Sequence, residues 1–182
     1  MNKKIVLASF FFFFVLALSA QEARCGFKSA IIKSTTEAMG RKTETVHYID
    51  DYGAKVAGVT TIFHVITIDN TQIVIMLGDK TGTKKTLPEN RINYLRLTPE
   101  NMMKNSVKEE GREEIDEKMC TKYSIVTGEP GREIVKMEWI WKGIALKTIV
   151  PAMGITTVVT DIQENVAIDP KVFLVPDDVT IQ

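Results

Sequence analysis

Histidine is scarce in this chain: only His47 and His64 occur among 182 residues. A zinc site asks for three or four ligands, and Asp50 and Asp51 are the acids nearest to either imidazole. Neither Gly-x-Ser-x-Gly nor His-Glu-x-x-His occurs. With two histidines and no nucleophile motif, a Ser/His/Asp or Cys/His hydrolase is a distant third reading. No metal, no cofactor and no enzymatic activity is therefore expected. Net charge is lacking too, with 23 basic against 23 acidic residues. Nucleic-acid binding needs a clustered positive surface, so no such partner is expected. The acidic cluster of Glu109, Glu110, Glu113, Glu114, Asp116 and Glu117 is interleaved with Lys108, Arg112 and Lys118. It reads as a solvated charged loop with a short strand rather than an acid–base site.

Aromatics are few once the N-terminus is set aside. Five of the 8 Phe fall at 10–14, leaving Phe27, Phe63 and Phe173 beside 4 Tyr and 2 Trp. Residues 1–20 have a basic start (Lys3, Lys4), an apolar run at 5–18 and the small-residue end Leu18-Ser19-Ala20. That is the pattern of a secretory signal peptide cut after Ala20. Its apolar run of about 14 residues is short of the ~20 that a spanning helix wants. The mature form, 21–182, is expected to be a single domain with no membrane span, outside the cytoplasm. Without the leader the counts become 21 basic and 23 acidic residues.

Cysteine is limited to Cys25 and Cys120. An even pair in an oxidising compartment reads as a disulfide. Closing a loop of roughly 95 residues would contribute about 4–5 kcal/mol through chain entropy. Two free buried thiols are the other reading.

What is present in quantity is β-strand pattern. The stretch 133–151 is organised as a hairpin: Val135, Met137, Trp139 and Trp141 alternate along one arm, so they share one face. Lys142-Gly143 supplies a tight turn, with Gly able to take φ > 0. Ile144, Leu146 and Thr148 alternate down the other arm. Similar β-branched runs lie at 27–35, 42–49, 54–60, 61–68, 72–77, 84–87, 119–126 and 155–163. Gly58 is read as a bulge. One helix is predicted over 99–106, with Thr98 as N-cap and Pro99 in its first turn. Nine to eleven strands in sequential hairpins give an antiparallel sheet, and a sheet that wide must curl, split or close.

Four segments carry a resemblance: Gly111-Arg112-Glu113-Glu114-Ile115, Met119-Cys120-Thr121-Lys122-Tyr123, 139–147, and Phe173-Leu174-Val175-Pro176. They resemble an uncharacterised secreted branch related to the LolA/LolB lipoprotein carriers of Gram-negative bacteria. The resemblance covers roughly 105–180 and implies a mainly β (α+β) fold. That fold is a curved, incompletely closed antiparallel barrel whose short helices plug the concave face. It implies a periplasmic or secreted carrier, with an acyl chain, a lipid or a lipoprotein as partner. With few aromatics to spare, the wall of the expected cavity is assigned to Ile73, Ile75, Met102, Met103, Met137, Trp139 and Ile155. The alternative is an envelope interaction or sensor module that docks a protein on a filled core.

Overall fold

Runs of Val, Ile and Thr separated by turns of two to six residues fold as one hairpin after another. The computed structural model describes residues 22–89, 91–129 and 131–182; the expected signal peptide lies outside them. β1 (Ala30–Ala38), β2 (Arg41–Asp50), β3 (Lys55–Val59), β4 (Phe63–Ile68), β5 (Thr71–Met76) and β6 (Thr81–Thr86) form an antiparallel meander. A connector over 87–106 carries the helix α1 (Pro99–Lys104). β7 (Val107–Ile115), β8 (Lys118–Thr127), β9 (Ile134–Trp141), β10 (Ile144–Val150) and β11 (Ile155–Glu164) form a second meander, and β11 pairs with β1. β12 (Thr180–Ile181) runs parallel along β6. The result is one curved sheet that is not closed into a barrel, with β7 at one edge and β12 at the other. Register shifts at Lys33/Ser34, Ala145/Lys147 and Glu109/Gly111 add local bend and twist. Among the described residues no helix is long and apolar enough to cross a membrane.

Register fixes the two faces. One row runs Thr36–Thr157–Thr148–Glu138–Tyr123–Glu109, from β1 through β11, β10, β9 and β8 to β7. On this face, Val107, Tyr123, Ile125 and Ile140 are buried under the connector's Ile92, Tyr94, Leu97 and Met102. Tyr94 donates a hydrogen bond to Glu138 Oε2, and its ring lies 5.4 Å from that of Tyr123. The connector is stopped in place by its helix start: Thr98 Oγ1 accepts from Asn101 N at 3.1 Å, as the capping pattern predicts.

The opposite face has two covers. Over β3–β6 it is the C-terminal tail: His64 Nε2 meets Val172 O at 2.9 Å, Phe173 is buried, and Ile181 lies over Gly82. Over β8–β10 it is long polar side chains around Trp139. Lys122 and Lys147 sit 4.8 and 4.7 Å from the ring centre. Glu113 Oε2 accepts from Trp139 Nε1 at 2.8 Å.

Three expectations are corrected here. Residues 107–115 are a full nine-residue edge strand rather than a charged loop with a short strand. An edge needs no apolar face of its own, and its charges and bulge resist pairing with other chains. Cys25 and Cys120 are free thiols. Cys25 packs with Phe27, Ala30, Ile32 and Ile49, and Cys120 with Trp139 and Leu146. Each is buried within its own cluster, with its Sγ turned to a nearby carbonyl, of Phe27 and Lys118 respectively. Gly58 is no bulge either, since the β2–β3 register passes it without a shift.

Three measurements follow from this packing. Thiol titration of the protein unfolded without reductant should find both cysteines free. The turn glycine Gly143 has φ +83°, and a Cβ there would overlap the Arg24 carbonyl and sit 3.1 Å from Cys25 Cα. Gly40 has φ +75° with open space around it. In urea unfolding, Gly40→Ala should cost about 1–2 kcal/mol for the left-handed backbone alone, and Gly143→Ala clearly more. Burial first, and then the Glu138 carboxylate, holds the Tyr94 phenol far above the usual tyrosine range. The native state therefore keeps a proton that the unfolded chain loses near pH ~10. Stability from this group is complete below that pH and falls as pH rises past it. Tyr94→Phe should lower stability at neutral pH by about 1.5–3 kcal/mol and make the alkaline decline shallower. It should not abolish the decline, because Tyr123, Cys25 and Cys120 are shifted upward too.

Candidate functional site

The connector plugs its face only over β7–β10. Over β1–β5 the same face is only partly covered: Cys25 and Phe27 pack on it at Ala30, Ile32 and Ile49, and the remainder lies open. Alternation builds it in rows: Ile32–His47–Gly58–Val65–Val74 is one, and Ile49–Val56–Thr67–Gln72 is the next. The first row dips in its middle because Gly58 has no side chain. A Cβ there would meet His47 Nδ1 at 3.4 Å, so the imidazole lies directly over the strand at this point. A glycine inside a strand often marks such a close approach.

Two hollows follow these rows. One, of about 350 Å³, runs along β2–β5 from Thr45 past Val65 to Phe63 and Gln72. The other, of about 230 Å³, runs over β1 and β2 to Ile144 and Ala145 on β10 and Thr157 and Val159 on β11. They share His47 and Val56, so they form one trough. Among the described residues, no Asp, Glu, Lys or Arg lines either hollow. The polar groups are hydroxyls, one amide and one imidazole. Ser34 is 3% exposed, and its Oγ lies 3.1 Å from His47 Nε2. Burial pulls the His47 imidazole below its ordinary pKa, because the charged form is the one that loses solvation. The site holds a neutral imidazole in apolar surroundings.

Another hollow, of about 400 Å³, is of a different kind. It lies within the connector, among Glu22, Glu89, Arg91, Arg96 and Lys104. Glu22 and Arg96 pair across it at 3.0 Å. Charges of both signs crowd its wall, and it offers little to an apolar guest.

The seven residues expected to line a cavity are not brought together. Ile155 lies on the trough's face beyond Thr157, without lining either hollow. Met102 belongs to the plug, and Met103, one residue on, is 78% exposed. Ile73 and Ile75 lie on the face opposite the trough, Ile75 fully buried there beside Gly82. Met137 and Trp139 are also on the opposite face, and Trp139 packs against Lys122, Lys147 and Glu113 of its own chain. Glu138, one position away, is the residue turned to the plug. The trough residues that sequence reading missed are Ile32, Ser34, His47, Val56, Gly58 and Val65. Their signal was present in weak form. Thr45, His47 and Ile49 alternate, and a glycine interrupts the next strand.

Comparison with known proteins shows the fold. An uncharacterised conserved protein from Thermus thermophilus is similar with a TM-score of 0.57 at 7% identity, over 91% of this chain and 95% of that one. MucB is similar with a TM-score of 0.55 at 12% identity, over 88% of this chain and 62% of MucB. The Pseudomonas aeruginosa MucA/MucB complex gives 0.55 and 12%, over 86% and 58%. PNGF-II gives 0.51 and 12%, over 85% of this chain and 31% of that one. The chain thus spans less than two thirds of MucB and about a third of PNGF-II. No protein-family model matches the chain. No curated protein matches it.

Proposed function

We propose that this is a non-enzymatic binding protein of the cell envelope that holds an apolar chain, such as the acyl group of a lipid or lipoprotein, in the trough. One observation carries this reading: the sheet face that the connector fills over β7–β10 is left partly open over β1–β5, as an uncharged hollow. Small-molecule sites run from about 300 to 1,000 Å³ and are mostly apolar with a few polar groups. The trough fits that description. Each buried CH₂ contributes about 0.8 kcal/mol, so roughly ten of them outweigh several kcal/mol of association and ordering cost. The resemblance to LolA/LolB carriers supports the same reading, as does an open curved sheet.

A second reading, protein docking, draws on two facts. MucB, which is similar in fold, has been solved in complex with MucA. The hairpin tips at one end of the sheet also expose Met39, Ile62, Leu77 and Met153. Recovery of one stoichiometric protein partner from envelope extract, with no lipid, would favour it.

Mass spectrometry of organic extracts of the purified protein should find an acyl compound, and a fluorescent fatty acid should bind saturably. Val65→Lys puts a charge into the half-exposed trough floor. It should weaken binding by at least about tenfold and leave the thermal midpoint nearly unchanged. Met103→Lys, in solvent, should bind as the wild type does. Absence of both co-purified lipid and saturable binding would overturn the reading.

A further inference from the structure

Ser34 and His47 form the one polar pair at the junction of the two hollows: His47 lines both and Ser34 lines one. We propose that this pair selects the guest, giving a hydrogen bond to the carbonyl oxygen of an uncharged acyl ester or amide in preference to a free carboxylate. The proposal rests on the trough being a site for apolar chains.

A serine hydroxyl has one donor hydrogen, and a neutral imidazole has one. The single bond between Ser34 Oγ and His47 Nε2 uses one of these two. If Ser34 donates, the ring proton is on Nδ1 and stays available. If Nε2 donates, the hydroxyl proton stays available. Either way one donor remains, in a hollow where burial raises the cost of leaving it unpaired. Among the described residues no second hydrogen bond engages either side chain. A carbonyl oxygen of the guest is the complementary group.

Charge decides between carbonyl and carboxylate. The strands around the pair present Ile32 on β1, Val56 and Gly58 on β3, Ile144 on β10 and Val159 on β11; none titrates. Thr45 and Ile49 flank His47 on its own strand. The charged residues of β1 and β2 nearest the pair are Lys33, Glu37, Glu44 and Asp50. They alternate onto the opposite face. A carboxylate in the trough would lose its water without a counter-ion; a neutral carbonyl would not. Acid should act in one direction. Protonating His47 puts a charge beside the apolar chain, and a neutral guest binds more weakly as pH falls through the His47 pKa. A carboxylate guest would show the reverse, because imidazolium would pair with it.

The test displaces an environment-sensitive dye from the purified protein with monolauroylglycerol, laurate and dodecane. At pH ~8 the glyceride should bind at least about tenfold more tightly than laurate. The double variant Ser34→Ala/His47→Phe, which removes both donors, should weaken the glyceride about five- to tenfold and leave dodecane unchanged. Acidification to pH ~5 should weaken the glyceride on the wild type. His47→Gln keeps a neutral donor and should retain glyceride affinity while losing the pH dependence. Laurate binding more tightly than the glyceride at pH ~8, or the glyceride tightening with acid, would overturn the proposal. So would variants that weaken dodecane as much as glyceride. If dodecane binds and the glyceride has no advantage, only the selection is lost. If neither the dye nor dodecane binds, the trough reading falls and this one with it.

Discussion

Tyr94 and Glu138 join the connector to the sheet, and the rest of the architecture depends on where that contact sits. A sheet face must be covered by something. Here the covering piece is a single connector with a six-residue helix, too short to span every strand. The Tyr94 hydroxyl bonded to Glu138, with its ring against Tyr123, holds the connector over β7–β10. Glu138 also pairs with Lys136 at 3.0 Å, so the carboxylate is shared between the plug and its own strand. The open half of the face is what remains, and the trough lies there.

Two glycines shape the molecule for opposite reasons. Gly143 permits close approach: the β9–β10 turn meets the N-terminal segment there, and Gly26 N donates to Lys142 O at 2.9 Å. Gly58 leaves space. Its missing side chain lowers one row of the sheet beside the His47 ring. The first glycine ties the end of β9 to the start of the fold, and the second makes part of the hollow.

The sheet edges and the Trp face follow the same logic of local cover. β7 is exposed and strongly charged, so its free backbone groups do not invite another strand. β6 is partly closed by β12 from its own chain. Trp139 is buried in a cluster with Cys120 and Leu146, and the ammonium groups of Lys122 and Lys147 lie over its ring. That face is satisfied within the chain. The trough face over β1–β5 is not.

The sequence by itself determined the local rules. Alternation announced the hairpin of β9 and β10, Thr98 and Pro99 announced the helix start, and the count of β-rich runs announced one wide antiparallel sheet. These are legible because period, caps and turns depend on neighbours a few residues away. Alternation says which residues share a face; it does not say which face is plugged. That choice lies with Tyr94, a residue 44 positions from Glu138, and it turned the Trp face away from the plug. The charged strand β7 was legible only as a short strand within a charged loop, because an edge strand need bury no apolar side and so carries little alternation to mark its length. The cysteines stayed apart because each found a separate cluster. The trough was only faintly legible, because Ser34, His47, Gly58 and Val65 meet through register across four strands, which tertiary structure settles.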